Sequence, residues 1–95
     1  MADGEADGVP PLASRAARER WIEIFDREFE RFCGDVDAGK DTFLDPYAAE
    51  HESEFFAVAS EAFFESPRAL RREFPALYDL FRGFYRQDPA NRLRR

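Results

Sequence analysis

An all-α fold of about four helices is the expectation for this sequence, and three observations carry it. Apolar residues recur at helical spacing in two long stretches. Prolines fall where helices begin rather than inside them. No run alternates apolar and polar residues as a half-buried strand does. The 95 residues suffice for one small core, and eleven Phe, three Tyr and one Trp must pack against something although 36% of residues are charged.

Residues 1–11, with two Asp-Gly pairs and Pro10-Pro11, lack apolar periodicity and should form a loop, of a kind that connects two elements more naturally than it starts a protein. Ser14 can cap a helix over 14–33, in which Trp21, Phe25, Phe29 and Phe32 line one face. Gly34 should stop it. The segment 34–47 is then a surface loop that carries Asp45-Pro46-Tyr47. A second helix is predicted over 48–65 and ends at Ser66-Pro67. A short helix over 67–74 follows, and Pro75 opens a last one over 75–87 whose Leu77, Leu80, Phe81, Phe84 and Tyr85 fit the amphipathic template. Residues 88–95 remain as a tail, and the whole forms a single helical domain or fragment.

The formal charge is −6, with 13 acids against 6 bases in residues 1–50 and 7 against 8 in residues 51–95. This balance argues against nucleic-acid binding, which needs a basic face, and the tail cluster Arg92, Arg94, Arg95 reads as a solvated basic run. One cysteine, Cys33, excludes an internal disulfide framework. It ends an amphipathic run with no base beside it, so a small buried or half-buried hydrophobe is its reading. No apolar run is long enough for a membrane span and the acidic start is unlike a signal peptide, so a cytoplasmic, membrane-free protein is expected.

The sequence Glu54 to Glu65, EFFAVASEAFFE, is apolar on nearly every side of a helical wheel, the pattern of a helix buried all round, yet it holds Glu54 and Glu61. Seven residues are close to two turns, so these acids share one stripe with Val58 between them and Glu65 a turn further on. Three readings stay open on spacing alone: the helix's one solvated face, an acidic functional stripe, or ion pairs with the chain's arginines.

A metal centre complete within this chain is not supported, since zinc takes about four ligands from His, Cys and carboxylates and His51 is the sole histidine. His51-Glu52-Ser53-Glu54-Phe55 imitates HExxH with Phe55 where the second histidine belongs; it reads as chance, His51 and Glu52 being polar residues of a first helical turn. Ser60 has no base or acid arranged to make it a nucleophile, and no glycine-rich phosphate loop occurs.

Several strings nevertheless occur in a specific order: Asp7-Gly8-Val9-Pro10-Pro11-Leu12, Leu44-Asp45-Pro46-Tyr47, Glu54-Phe55-Phe56-Ala57-Val58, Ser60-Glu61, Phe63-Phe64, Phe74-Pro75-Ala76-Leu77-Tyr78 and Phe84-Tyr85-Arg86-Gln87-Asp88-Pro89. Together they resemble the C-terminal region of the Mlc titration factor A family, bacterial zinc metallopeptidases also called DgsA anti-repressors. The resemblance covers almost the whole chain. It implies that this is the C-terminal part of a larger zincin-like domain which hydrolyses peptides with a zinc-activated water. On the family pattern Glu54 is the third protein ligand of Zn2+, Tyr47 steadies the oxyanion of the tetrahedral intermediate, and Glu61 at most supports a ligand.

The departure from the family is as informative. The HExxH helix, with two zinc histidines and the general base, belongs just upstream of the Asp-Gly segment with which this sequence opens. The expectation is therefore a truncated or partial chain, inactive alone. The implied partners are a peptide substrate and a transcriptional repressor of the Mlc type. The alternative is a helical interaction module without chemistry, whose Leu77 to Tyr85 stripe would face a partner rather than the chain's own core.

Overall fold

The structure, a computed structural model, describes residues 14–92, with the side chain of Arg92 left aside. The expected loop 1–11 and Arg94-Arg95 of the basic tail lie outside these residues. Five helices and one 3-10 turn follow in order: α1 Arg15–Asp37, the turn Pro46–Ala49, α2 Glu52–Glu65, α3 Pro67–Glu73, α4 Pro75–Tyr85 and α5 Pro89–Arg92. Among the described residues there is no strand, and the class is all-α.

Helix α1 starts where Ser14 accepts a hydrogen bond from the Ala17 N–H at 3.1 Å. It does not stop at Gly34 but runs on to Asp37, which corrects the sequence expectation. Val36, one turn beyond Phe32, packs against the core, and this contact offsets the roughly 1 kcal/mol a glycine costs inside a helix. The chain turns at Gly39, whose φ of +77° suits a residue without Cβ. The Gly39 N–H then bonds the Val36 carbonyl and the Lys40 N–H that of Asp35, each at 3.0 Å, a Schellman ending.

The region 48–65 is not one helix. Pro46–Ala49 forms the 3-10 turn, and His51, extended at φ −162°, caps α2 instead of joining its first turn. Its Nδ1 accepts the Ser53 N–H at 3.2 Å and lies 3.0 Å from the Ser53 hydroxyl. Further along, α4 ends at Tyr85 because Arg86 takes left-handed angles, and the supposed tail begins with α5, whose Ala90 is buried.

The core is largely aromatic. Phe55 of α2 is fully buried, with ring centroids 5.3 Å from Phe25, 5.3 Å from Phe29 and 5.4 Å from Phe32. Phe63, two turns later, meets Tyr78 and Phe81 of α4. Leu77 and Phe81 of the α4 stripe are buried and Leu80, Phe84 and Tyr85 are half-buried, so most of that stripe serves this chain's own core. Glu28, the one buried charged residue described, is paired: Arg31 donates to it at 2.8 Å, reaches the Glu73 carbonyl at 3.3 Å and lies over the Phe74 ring. That contact ties α1 to the α3–α4 junction.

Helix α2 is not buried all round. Phe55, Ala59 and Phe63 face the core, whereas Ala57, Glu61, Phe64 and Glu65 are exposed. One long side of an apolar helix therefore remains uncovered by the described residues.

Candidate functional site

The uncovered side of α2 begins beside Tyr47, and the chain places that tyrosine through short-range bonds. Thr42 Oγ1 donates to the Leu44 carbonyl at 2.7 Å, and Leu44 is buried. Asp45 next caps the 3-10 turn: its Oδ1 accepts the Tyr47 N–H at 2.9 Å, and its carbonyl accepts the Ala48 N–H at 2.8 Å. Pro46 fits the first position of such a turn because its missing N–H would have had no partner there. Ala48 points inward and is fully buried, which leaves Tyr47 facing outward and 55% exposed.

Glu54 lies in the first turn of α2 together with Glu52, where the positive end of the helix dipole favours a carboxylate. The Tyr47 phenol is raised above its ordinary value, first by the negative charge of nearby Glu54 and further by that of Glu50. The two residues singled out from the sequence as metal ligand and oxyanion donor thus lie on neighbouring elements, close enough for the Glu54 charge to act on the phenol. Glu61 does not join them. It lies on the same stripe about 10 Å further along the axis, exposed to solvent.

Among the described residues no Lys or Arg nitrogen lies within ion-pair distance of Glu54 or Glu61, so the ion-pair reading of the acidic stripe falls away. Other candidates resolve into structural roles. The Ser60 hydroxyl lies 2.9 Å from the Tyr85 hydroxyl across α2 and α4. The Cys33 thiol contacts the Ala49 carbonyl at 3.7 Å, and burial, with Asp37, Glu30 and Glu52 nearby, pushes its pKa up, so it stays a protonated thiol. Phe55, the residue in place of a second histidine after His51, is core. No group of three or more metal-binding side chains comes together among the described residues. The fit to a metal is thus partial: Glu54 offers a half-buried carboxylate without an ion-pair partner among the described residues, a donor type zinc accepts.

Two roles escaped the sequence reading, the caps made by Asp45 and His51. Asp before Pro is a helix-start signature, and it pointed to a capped turn rather than to a loop. Histidine is an uncommon cap and gave no such indication.

Comparison with known proteins supplies the class. Residues 1–86 match the family model described as "Glucose-regulated metallo-peptidase M90", a class of metallopeptidases. The chain belongs to this M90 peptidase family. It is 39% identical over 94 residues to Mlc titration factor A of Yersinia pestis (strain Pestoides F), a match covering 97% of this chain and 34% of that protein. It is 37% identical over 89 residues to an uncharacterized protein of Synechocystis, covering 94% of this chain and 32% of the relative. The chain therefore spans about a third of the length of these curated relatives. No solved structure matches. No helix among the described residues is long and apolar enough to cross a membrane.

Proposed function

We propose that this chain supplies the acidic side of a zinc-peptidase centre, with Glu54 as a metal ligand and Tyr47 as the hydrogen-bond donor to the oxyanion of the peptide being cleaved. The observation that carries the reading is the placement of Tyr47 and Glu54 on adjoining elements, the 3-10 turn and the first turn of α2, at the uncovered side of that helix, in a chain of a metallopeptidase family. Zinc, when bound, supplies Lewis-acid polarisation of the peptide carbonyl and activation of water. Glu54 contributes one anionic oxygen from a rigid first turn. Tyr47, a phenol whose ordinary value is about 10, carries its proton at neutral pH and so is a donor as negative charge develops on the carbonyl oxygen. Glu61, two turns away, supports the stripe's negative field and holds no ligand position.

Two histidine ligands and a general base are needed in addition, and the sole histidine here, His51, is engaged as a helix cap. They belong to a longer form of the protein, which would lay its HExxH helix along the Glu54 side of α2. The chain alone is then a poor zinc binder without turnover. The substrate is a peptide, and a repressor of the Mlc type is a partner suggested by the relatives' name.

The test uses a form extended to the length of its relatives. Glu54→Gln should lower zinc affinity by about 100-fold or more, since removing a ligand exceeds the 10- to 100-fold cost of removing a group that only orients one. Unchanged zinc affinity in a folded Glu54→Gln protein would remove Glu54 from the metal site and with it the proposal.

A further inference from the structure

We infer that the groove between α3 and α5 is a docking site for an acidic peptide segment, with Arg68 and Arg71 holding its carboxylates. Residues 66–95 carry eight bases against three acids, in a chain whose first 65 residues carry six bases against 17 acids. The three acids of this basic part are already engaged. Arg72 lies 3.7 Å from Glu73, Arg82 donates to Asp79, and Asp88 accepts from the Tyr78 hydroxyl and the Asn91 amide. Arg68 and Arg71, both exposed, form no ion pair among the described residues.

These two arginines stand three apart on α3 and line an open groove of about 430 Å³ whose other side is Ala90 and Asn91 of α5. Each is held by one contact that leaves its charge available. Arg68 Nε donates to the Ala90 carbonyl at 3.4 Å, which leaves both Nη groups, and the Arg71 guanidinium lies over the Tyr78 ring, 5.9 Å from its centre. The far wall is fixed as well: the buried Ala90 N–H donates to the Tyr78 hydroxyl at 3.2 Å, and that hydroxyl donates to Asp88. Cations held in place before a ligand arrives lose little freedom on binding it.

Spacing and charge both select a peptide as the occupant. Residues three apart on a helix have Cβ atoms about 5–6 Å apart, and side chains at alternate positions of an extended peptide recur about 6.6 Å apart, so one strand can meet both guanidiniums. A nucleic acid would bring phosphates along its whole length, and the acid-rich first 65 residues repel such a polyanion. A short acidic segment meets only the local basic face.

The experiment is an NMR titration of this chain with a short peptide of alternating Glu and Gly, beside its counterpart of Gln and Gly, an oligothymidylate and inorganic phosphate. The acidic peptide should bind saturably and shift the Ala90 backbone amide and the Asn91 side-chain amide. Arg68→Gln combined with Arg71→Gln should weaken binding by about tenfold or more, the scale of two charge-assisted contacts at an exposed site. Arg15→Gln combined with Arg18→Gln removes the same charge at the same spacing from exposed positions of α1 and should change affinity by less than about twofold. The wild-type shift map decides the matter even where a variant does not fold. Absence of saturable binding, shifts that avoid α3 and α5, equal binding of the Gln peptide, or equal weakening by the two double variants would overturn the inference. So would an oligothymidylate or phosphate that binds as tightly as the acidic peptide. No zinc enters the measurement, so its outcome and that of the Glu54 test are independent.

Discussion

Two tyrosines in this molecule sit beside a carboxylate, and they are held in opposite ways. Tyr78 of α4 is buried; its hydroxyl donates to Asp88 and accepts the Ala90 N–H at 3.2 Å, while Asn91 donates to the other Asp88 oxygen at 2.8 Å. The phenol, the Ala90 N–H and both Asp88 oxygens have partners, and the result is mechanical: the knot pins α5 to α4. Tyr47 is open, with Glu54 as its carboxylate and uncovered helix beyond. The phenols are also raised for different reasons, Tyr78 by burial first and Tyr47 by the charge of Glu54 first. A tyrosine–acid pair inside a closed network stabilises a fold, whereas the same pair left unsatisfied at a surface is available to a ligand.

The largest test of this contrast is made on the two faces of α2. Phe55→Ala, directly after Glu54, removes a ring at the centre of the aromatic core and should cost about 3–5 kcal/mol in urea unfolding. Phe64→Ala, on the uncovered side at 44% exposure, should cost about 1 kcal/mol or less. Similar losses at both would mean that the outer face carries stability and is not reserved for another surface. Next in size is Tyr78→Phe. It strands the buried Ala90 N–H and should cost about 1–3 kcal/mol. Tyr47→Phe should leave the unfolding curve where it is.

The Tyr78 effect also has a pH window. Asp88 is held below its ordinary range, chiefly by the Tyr78 hydroxyl, with burial opposing and Asn91 assisting. Its contribution is therefore complete above the unfolded carboxyl value of about 4 and is lost as pH falls through the lower folded value. Tyr78 is raised, so its contribution is complete below about 10 and is lost as pH rises through the higher folded value. The stability gap between wild type and Tyr78→Phe should be widest between these limits and narrow at both ends, leaving the part due to the Ala90 N–H. A gap independent of pH would show that the hydroxyl's partners are not the titrating groups named.

These two regions were not equally legible in the sequence. Helical spacing gave the class and most of the core face, because Trp21, Phe25 and Phe32 can share one side of α1 only by being buried together. Gly34 misled because a local cost of about 1 kcal/mol was weighed without the tertiary contact of Val36 beyond it. The Tyr78 knot was invisible: Asp88-Pro89 read as the end of a helix, and nothing in its spacing revealed that the chain would fold back to put Asp88 on a tyrosine ten residues earlier. Glu54 and Tyr47 stood out, but periodicity alone left the acidic stripe between solvated face, functional stripe and ion pair. Family resemblance singled out the two residues, and the fold set them on neighbouring elements while leaving Glu61 apart.

The smallest effect separates the two tyrosines most sharply, because it asks for a change at one and none at the other. If the charge of Glu54 is the main cause of the raised Tyr47 phenol, Glu54→Gln should move the Tyr47 alkaline titration back down toward about 10. Tyr78, raised by burial and by Asp88, should titrate as in the wild type. Site-resolved tyrosine ring shifts followed through the alkaline range would read both residues in one sample. A Tyr47 titration that stays put in Glu54→Gln would mean that phenol and carboxylate do not meet in solution. In that case the acidic stripe returns to being a solvated helix face, and the contrast between a closed and an open tyrosine–acid pair loses its open member.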